Sequence, residues 1–182
     1  MEFGCKNSME FGCKACGKCY LCRRYLVVCS EFTSFHTDQR FRHRSIIDCN
    51  TECIIYLLEC ILHEKSYVGY TIKATKIRFS NTKSHIKKGN KSCEIVSHFI
   101  ENEHPDIDFS SAKKYDESLC KYIKVTLLEK VQVNPDDNRE QREAKCEARE
   151  GYWQTQLRTL TMYGGLNKRD NRKYTSLKNQ GK

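Results

Sequence analysis

The stretch Ile54-Ile55-Tyr56, followed after ten residues by Tyr67-Val68-Gly69, decides how this chain folds. The first motif belongs to the apolar run 53–60, which is rich in β-branched and aromatic residues, and the second belongs to a similar run at 65–71. Two runs of this composition, separated by a short segment, are typical of paired strands. The sequence therefore predicts a β-hairpin that carries a tyrosine in each strand.

The residues after this hairpin predict two helices. Thr71 is a candidate N-cap for a basic helix that runs to about Lys88, where Gly89 supplies a stop signal. A second, shorter helix is predicted over 92–102, because it ends before a proline and is apolar on one face. That face is expected to carry Ile95, His98 and Phe99.

A third strand and a long helix complete the predicted fold. The strand spans 122–131 and leads to a turn signal at 134–137. The helix spans 139–160, where an apolar stripe is interrupted by one glutamate. The stripe consists of Cys146, Glu150, Trp153, Leu157 and Leu160. These elements predict an α+β fold, in which a small three-stranded antiparallel sheet is flanked by helices.

The composition narrows the class of protein. A chain of 182 residues suits one domain with a small additional segment. Its longest apolar run is far shorter than the roughly 20 residues of a membrane-spanning helix, so we expect no membrane segment. The 32 Lys and Arg exceed the 23 Asp and Glu, which leaves a net charge of +9 and favours a polyanionic partner such as nucleic acid.

The 12 cysteines indicate metal binding rather than disulfides. No apolar block typical of a secretory signal is present near the N-terminus, so we expect the thiols to stay reduced. A dense thiol run is followed by two further cysteines. Zinc suits the run better than an iron–sulfur cluster, because iron–sulfur runs end with a cysteine followed by proline and this chain has no proline before Pro105. Three of the predicted ligands are Cys16, Cys19 and Cys22. The fourth comes from Cys13, Cys29 or Cys49, and we take it to be Cys49.

Three more residues follow the tyrosine motifs in a fixed order. They are Arg78 in the first predicted helix, Glu150 in the segment Arg149-Glu150-Gly151-Tyr152-Trp153, and Asn167 after the pair Gly164-Gly165. With these five elements, residues 53–168 resemble the GIY-YIG nuclease family. The resemblance implies the fold of that family and the metal-dependent hydrolysis of phosphodiester bonds in DNA.

The resemblance also implies a role for each of the five residues. Tyr56 acts as general base or positions the water, and Tyr67 supports the water and the phosphate. Arg78 offers its guanidinium to the scissile phosphate. Glu150 is the single protein ligand of Mg²⁺ or Mn²⁺, a role consistent with a carboxylate that lies within an apolar stripe and needs an ion to offset its desolvation. Asn167 holds the substrate or stabilises the site.

Two positions depart from the family pattern. One is a frequent histidine at the start of the next helix, which falls near Asn90 and Lys91 in this chain. The family also often has a histidine or tyrosine one helical turn after the arginine, where this chain has Thr82. His85 lies almost one turn further along. We therefore expect a working but slow nuclease.

A second group of candidate ligands lies within the nuclease segment. Cys60 and His63 fall between the two tyrosine motifs, and His98 and His104 follow on and after the second predicted helix. The endonuclease domain of Penelope-like retroelements is similar, with two cysteines in this loop and two histidines downstream. The resemblance implies a structural Zn²⁺ bound by these four residues, with His63 in place of the second cysteine. The remaining cysteines Cys93, Cys120 and Cys146 lack partner spacing and are expected to be ordinary buried residues.

The predicted organisation has three parts. A Cys-rich zinc-binding appendage covers 1–52, the nuclease domain 53–168 and a basic tail 169–182. Lysines near Arg78 are candidate contacts to DNA phosphates, because such contacts supply affinity that is independent of base sequence. They are Lys73, Lys76, Lys83, Lys87 and Lys88.

The leading prediction is a DNA endonuclease that nicks one strand for target-primed retrotransposition. Its expected partners are DNA, the element RNA and a reverse transcriptase, and its expected location is the nucleus. The alternative is a zinc-stabilised nucleic-acid-binding module whose nuclease site has decayed, for which Thr82 is the main support. A third interpretation is a stand-alone nuclease of repair or mobile introns, for which the Cys-rich segment would be unusual.

Overall fold

The chain combines strands and helices in a mixed α+β architecture, as the sequence predicts. A computed structural model describes residues 11–168, and the predicted tail 169–182 lies outside these residues. The strands are β1 (Gly12–Cys13), β2 (Glu31–Ser34), β3 (Thr37–Arg42), β4 (Ile46–Ile47), β5 (Ile54–Cys60), β6 (Lys65–Thr71) and β7 (Ile123–Lys130). The helices are α1 (Tyr20–Arg24), α2 (Thr75–Lys88), α3 (Glu94–Glu101), α4 (Ala112–Leu119) and α5 (Arg139–Gln156), followed by a 3₁₀ turn at Thr161–Tyr163.

The central sheet contains the predicted hairpin and the predicted third strand. Its order is β6-β5-β7, and both pairings are antiparallel. In the β5–β6 register, Tyr56 lies opposite Gly69 and Leu58 opposite Tyr67. Since alternate residues of a strand point to opposite faces, Tyr56, Tyr67 and Gly69 share one face of the sheet.

The two faces of the sheet support two hydrophobic clusters. One face, with Tyr56 and Leu58, packs with apolar side chains of α1, α2, α3 and α4. The other face, with Ile55 and Leu57, packs against the apolar stripe of α5, where Trp153 also contacts Phe32 of β2. The sheet is therefore covered on both sides, and β6 and β7 are its edge strands.

Two predicted helices differ from the structure in their limits, and one observed helix was not predicted. Helix α2 begins at Thr75 rather than Thr71, because the Thr71 hydroxyl accepts a hydrogen bond from the Lys73 amide (3.1 Å) and closes a turn at the end of β6. Helix α5 ends at Gln156 instead of reaching Leu160, since Arg158 adopts a positive φ of 51°. Helix α4 was not predicted, although Ser111 caps it. No helix within residues 11–168 has the length and apolar character needed to cross a membrane.

The Cys-rich segment packs onto the central sheet. Residues 25–27 run beside β7, where the Val125 amide donates to the Tyr25 carbonyl (2.9 Å) and the Val27 amide donates to the Val125 carbonyl (2.8 Å). Buried side chains of this segment, including Leu21 and Ile47, belong to the same hydrophobic cluster as Tyr56. Side chains on both sides of the predicted boundary at residue 52 therefore share one core.

Candidate active site and metal centres

A cleft of about 810 Å³ opens along the edge strand β6. Its walls come from β6, α2, α3, α5 and the turn that follows α5. The structure brings together in this cleft all five residues that the family resemblance identified. They are Tyr56, Tyr67, Arg78, Glu150 and Asn167.

Gly69 allows the two tyrosines to lie against each other. A Cβ atom at this position would stand 2.7 Å from the Tyr56 Oη and 2.9 Å from the Tyr67 Cε1, closer than such contacts normally allow. Both tyrosines are buried, and burial raises the pKa of each phenol. At neutral pH both side chains are therefore neutral hydroxyl groups at the inner wall of the cleft.

Arg78 is fixed by Tyr56. Its Nε donates a hydrogen bond to the Tyr56 Oη (3.0 Å), and the interaction with Tyr56 raises the pKa of Arg78 despite its burial. Within residues 11–168, its two terminal nitrogens make no hydrogen bond. A guanidinium held by one nitrogen, with its fork directed to a cleft, can bind an oxyanion through two parallel hydrogen bonds.

Helix α5 is oriented so that Glu150 lines the cleft. On the neighbouring side of the helix, Arg149 forms an ion pair with Glu129 of β7 (2.7 Å), and the Trp153 Nε1 donates to the same carboxylate (2.6 Å). These contacts hold α5 against the sheet in one rotation. The Glu150 carboxylate is near enough to Tyr67 to contribute to the raised pKa of that phenol, after burial, Tyr56 and Cys93.

Asn167 acts on the backbone of β6. Its Nδ2 donates to the Val68 carbonyl and its Oδ1 accepts from the Val68 amide, both at 2.8 Å, so its amide replaces a missing neighbouring strand. Oδ1 also accepts the Thr159 hydroxyl (2.7 Å). Of the two expected roles, these bonds favour stabilising the site over holding the substrate, because they hold the segment that carries Tyr67 and Gly69.

The predicted lysines separate into two groups. Lys73 lines the cleft, whereas the other four do not. Lys83 forms a largely buried ion pair with Asp116 and lies over the rings of Tyr20 and Tyr25. The other cations that line the cleft are Arg78, Lys91, Arg139 and Lys168. Lys76 donates to Asn50 (2.6 Å), Lys87 lies over Tyr115, and Lys88 is exposed.

Several side chains that line the cleft were not predicted from the sequence. Glu147 and Gln154 lie on the same face of α5 as Glu150, and their spacing of three and four residues could have shown this. Glu94 and Cys93 at the start of α3 also line the cleft. Cys93 and Cys120 are partly exposed, contrary to the expectation of buried residues, whereas Cys146 is buried as expected.

Thr82 lies behind Arg78 rather than in the cleft. It is only 3% exposed, and its hydroxyl donates to the Arg78 carbonyl (3.2 Å). Thr82, where the chain departs from the family pattern, is therefore not part of the cleft walls, which other residues form.

Cys60, His63, His98 and His104 form a compact group. The Cys60 Sγ lies 3.5 Å from the His63 Nδ1 and 3.3 Å from the His104 Nε2, and the His63 Nδ1 lies 3.2 Å from the His98 Nε2. All four candidate ligand atoms lie within 4.8 Å of one another. The group therefore could hold a metal ion, and its one sulfur and three nitrogens match a tetrahedral zinc site.

The surroundings of this group favour metal-binding forms of its histidines. Burial, together with the nearby His104 and His63, lowers the pKa of His98 to about 4, so its ring is neutral at physiological pH. The His104 Nδ1 donates a hydrogen bond to the Asn102 carbonyl (2.9 Å), which leaves Nε2 directed at the group. The group links the end of the tyrosine hairpin to α3.

A second compact group is formed by Cys16, Cys19, Cys22 and Cys49. Their candidate sulfur atoms lie within 4.8 Å of one another, and the Cys22 Sγ lies 3.7 Å from both the Cys16 and the Cys19 Sγ. This four-cysteine cluster could hold a structural metal such as zinc. The structure thus places Cys49, and neither Cys13 nor Cys29, as the fourth member.

No family model, curated protein or solved structure matches this chain.

Proposed function

We propose that this protein is a divalent-metal-dependent DNA endonuclease that nicks one strand by phosphodiester hydrolysis. The observation that carries the proposal is the convergence of Tyr56, Tyr67, Arg78 and Glu150 on one basic-rimmed cleft. The GIY-YIG resemblance supports the same activity, since these residues occupy the positions of that family's motifs. A role in target-primed retrotransposition, with element RNA and a reverse transcriptase as partners in the nucleus, belongs to this proposal.

The chemistry follows from where the charges lie. Hydrolysis of a phosphodiester needs a positioned water and stabilisation of the charge that develops on the phosphoryl oxygens. The Arg78 fork serves the second need, because it is fixed by Tyr56 and directed to the cleft. The Tyr56 oxygen accepts from Arg78 and keeps its own proton, so Tyr56 and Tyr67 enter the reaction as neutral groups that orient water.

The carboxylates of the cleft suit a hard cation. Glu150, with Glu147 and Glu94 on the same walls, offers the oxygen donors that Mg²⁺ and Mn²⁺ prefer. A cation bound by Glu150 would neutralise charge on the phosphate and lower the pKa of a nearby water. Glu150 would hold this cation in the cleft that Arg78 also lines.

The two Cys/His groups are proposed as structural zinc sites. The mixed site, Cys60 with three histidines, would fix α3, which also contributes Glu94 to the cleft. Elemental analysis should find two zinc ions per chain. Full zinc content after Cys60→Ser would contradict the mixed site.

Nicking of supercoiled plasmid by the full zinc-loaded chain tests the activity. We expect nicking in Mg²⁺ or Mn²⁺ that is lost in Glu150→Gln and retained in Glu140→Gln, a matched change at an exposed position of the same helix. Nicking should also be lost in Tyr67→Phe.

The alternative function is nucleic-acid binding without catalysis. The basic rim of the cleft supports binding under either proposal. DNA binding by the unsubstituted chain with no nicking in either metal would overturn the nuclease and support the alternative.

A further inference from the structure

Gln154 is a buried side chain of the cleft with an unsatisfied oxygen. It lies one helical turn after Glu150 on α5, lines the cleft and is only 3% exposed. Its Oε1 is out of contact with solvent and has no hydrogen-bond partner in the described range 11–168. A buried acceptor of this kind normally has a partner, because leaving it unpaired costs the full desolvation of the group.

The position of this oxygen indicates what kind of partner it has. Glu147, Glu150 and Gln154 lie on one face of α5, and all three side chains line the same cleft. A carbonyl oxygen can only accept, so the partner must be a donor. The hydration shell of a hard cation provides polarised donors, and Mg²⁺ keeps most of its waters when bound to protein.

We propose that Gln154 is a positioning residue, whose side-chain amide turns toward the cleft when a divalent cation is held at Glu150, so that Oε1 accepts a hydrogen bond from the hydration shell of that cation. This inference rests on the proposed function, because it assumes a cation at Glu150. Gln154 would orient that hydration shell without contacting the substrate. It would thereby set the affinity of the cleft for the cation, as partners around metal ligands do in other sites.

Direct binding of Mn²⁺ tests the proposal without relying on activity. The zinc-loaded full chain is titrated with Mn²⁺, and free Mn²⁺ is followed by electron paramagnetic resonance. We expect Gln154→Met to weaken Mn²⁺ binding about tenfold to a hundredfold. Gln154→Glu, which keeps an acceptor oxygen and adds a negative charge, should restore binding.

Two further variants separate the possible outcomes. Gln156→Met makes the same chemical change on the same helix at a residue outside the cleft lining, and it should bind Mn²⁺ as the unsubstituted chain does. Glu150→Gln should abolish binding. If Glu150→Gln loses Mn²⁺ while Gln154→Met keeps full affinity, the role of Gln154 is wrong and the cation at Glu150 stands.

Other outcomes would overturn the proposed cation site itself. If the unsubstituted chain binds no Mn²⁺, or binds it equally after Glu150→Gln, both the cation site and the role of Gln154 fail. A thermal melt in the absence of Mn²⁺ controls for folding. The melting temperature of Gln154→Met should equal or exceed that of the unsubstituted chain, because a buried unpaired oxygen is replaced by an apolar group. A lower melting temperature with weak binding would assign Gln154 a structural role.

Discussion

Helix α2 has two basic sides that the structure uses differently. On one side, Arg78 turns its fork to the cleft, and Tyr56 fixes only its Nε. On the other side, Lys83 is largely buried, where it pairs with Asp116 and packs on two tyrosine rings. The comparison shows that a run of positive residues does not tell which cations are available to a phosphate. Cations that neutralise an acidic partner within the protein stabilise the fold instead.

The largest effect is expected from removing the cleft-facing cation. Arg78→Met should lower the nicking rate at least about a hundredfold, because one preorganised donor to a developing oxyanion is lost. Arg78→Lys should also be impaired, since an ammonium cannot reproduce the fork. Plasmid nicking under single-turnover conditions measures both. A rate for Arg78→Met close to that of the unsubstituted chain would remove Arg78 from the proposed chemistry.

The opposite side should show a loss of stability instead. Lys83→Met should reduce the free energy of unfolding by about 3 kcal/mol, because it leaves the Asp116 carboxylate without its buried cation. Lys87→Met is the matched control on the exposed part of the same helix and should change stability little. Urea denaturation followed by circular dichroism compares them. Equal stability of the two variants would mean that the Lys83–Asp116 pair contributes nothing.

The smallest effect concerns exposed lysines. Replacing Lys73 and Lys168, which line the cleft, by glutamine should reduce the slope of log affinity against log salt by about 2, as expected for two lost phosphate contacts. Replacing Lys87 and Lys88 removes the same charge away from the cleft and should change the slope little. Fluorescence anisotropy with a labelled DNA duplex gives both slopes. Equal changes would show that DNA binds by general charge and not along the cleft.

Local patterns were enough to predict the central sheet and most of the four-cysteine cluster. The two runs of β-branched and aromatic residues became β5 and β6, and the third became β7. The cysteine intervals predicted three of the four members of the four-cysteine cluster, because closely spaced residues converge without knowledge of the fold. Choosing Cys49 over Cys13 and Cys29 depended on the path of the chain between them.

Contacts between distant segments were not predictable in the same way. The Cys-rich segment lies against β7 through backbone hydrogen bonds, and no residue type reports such bonds. The side-chain amide of Asn167 is hydrogen-bonded to the backbone of Val68. The sequence motif around Asn167 did not reveal this partner. Thr82 departs from the family motif, and the structure places this residue outside the cleft lining.

The sequence by itself determined the tyrosine hairpin, the order of the motif residues and three of the four members of the four-cysteine cluster. These features depend on composition, periodicity and short spacing, which act within a few residues. Only the tertiary structure decided which cations reach the cleft, that Asn167 supports an edge strand, and that Gln154 lies buried beside Glu150. Those features depend on how α2, α3 and α5 pack around the sheet, where burial and neighbouring charges decide what each side chain can bind.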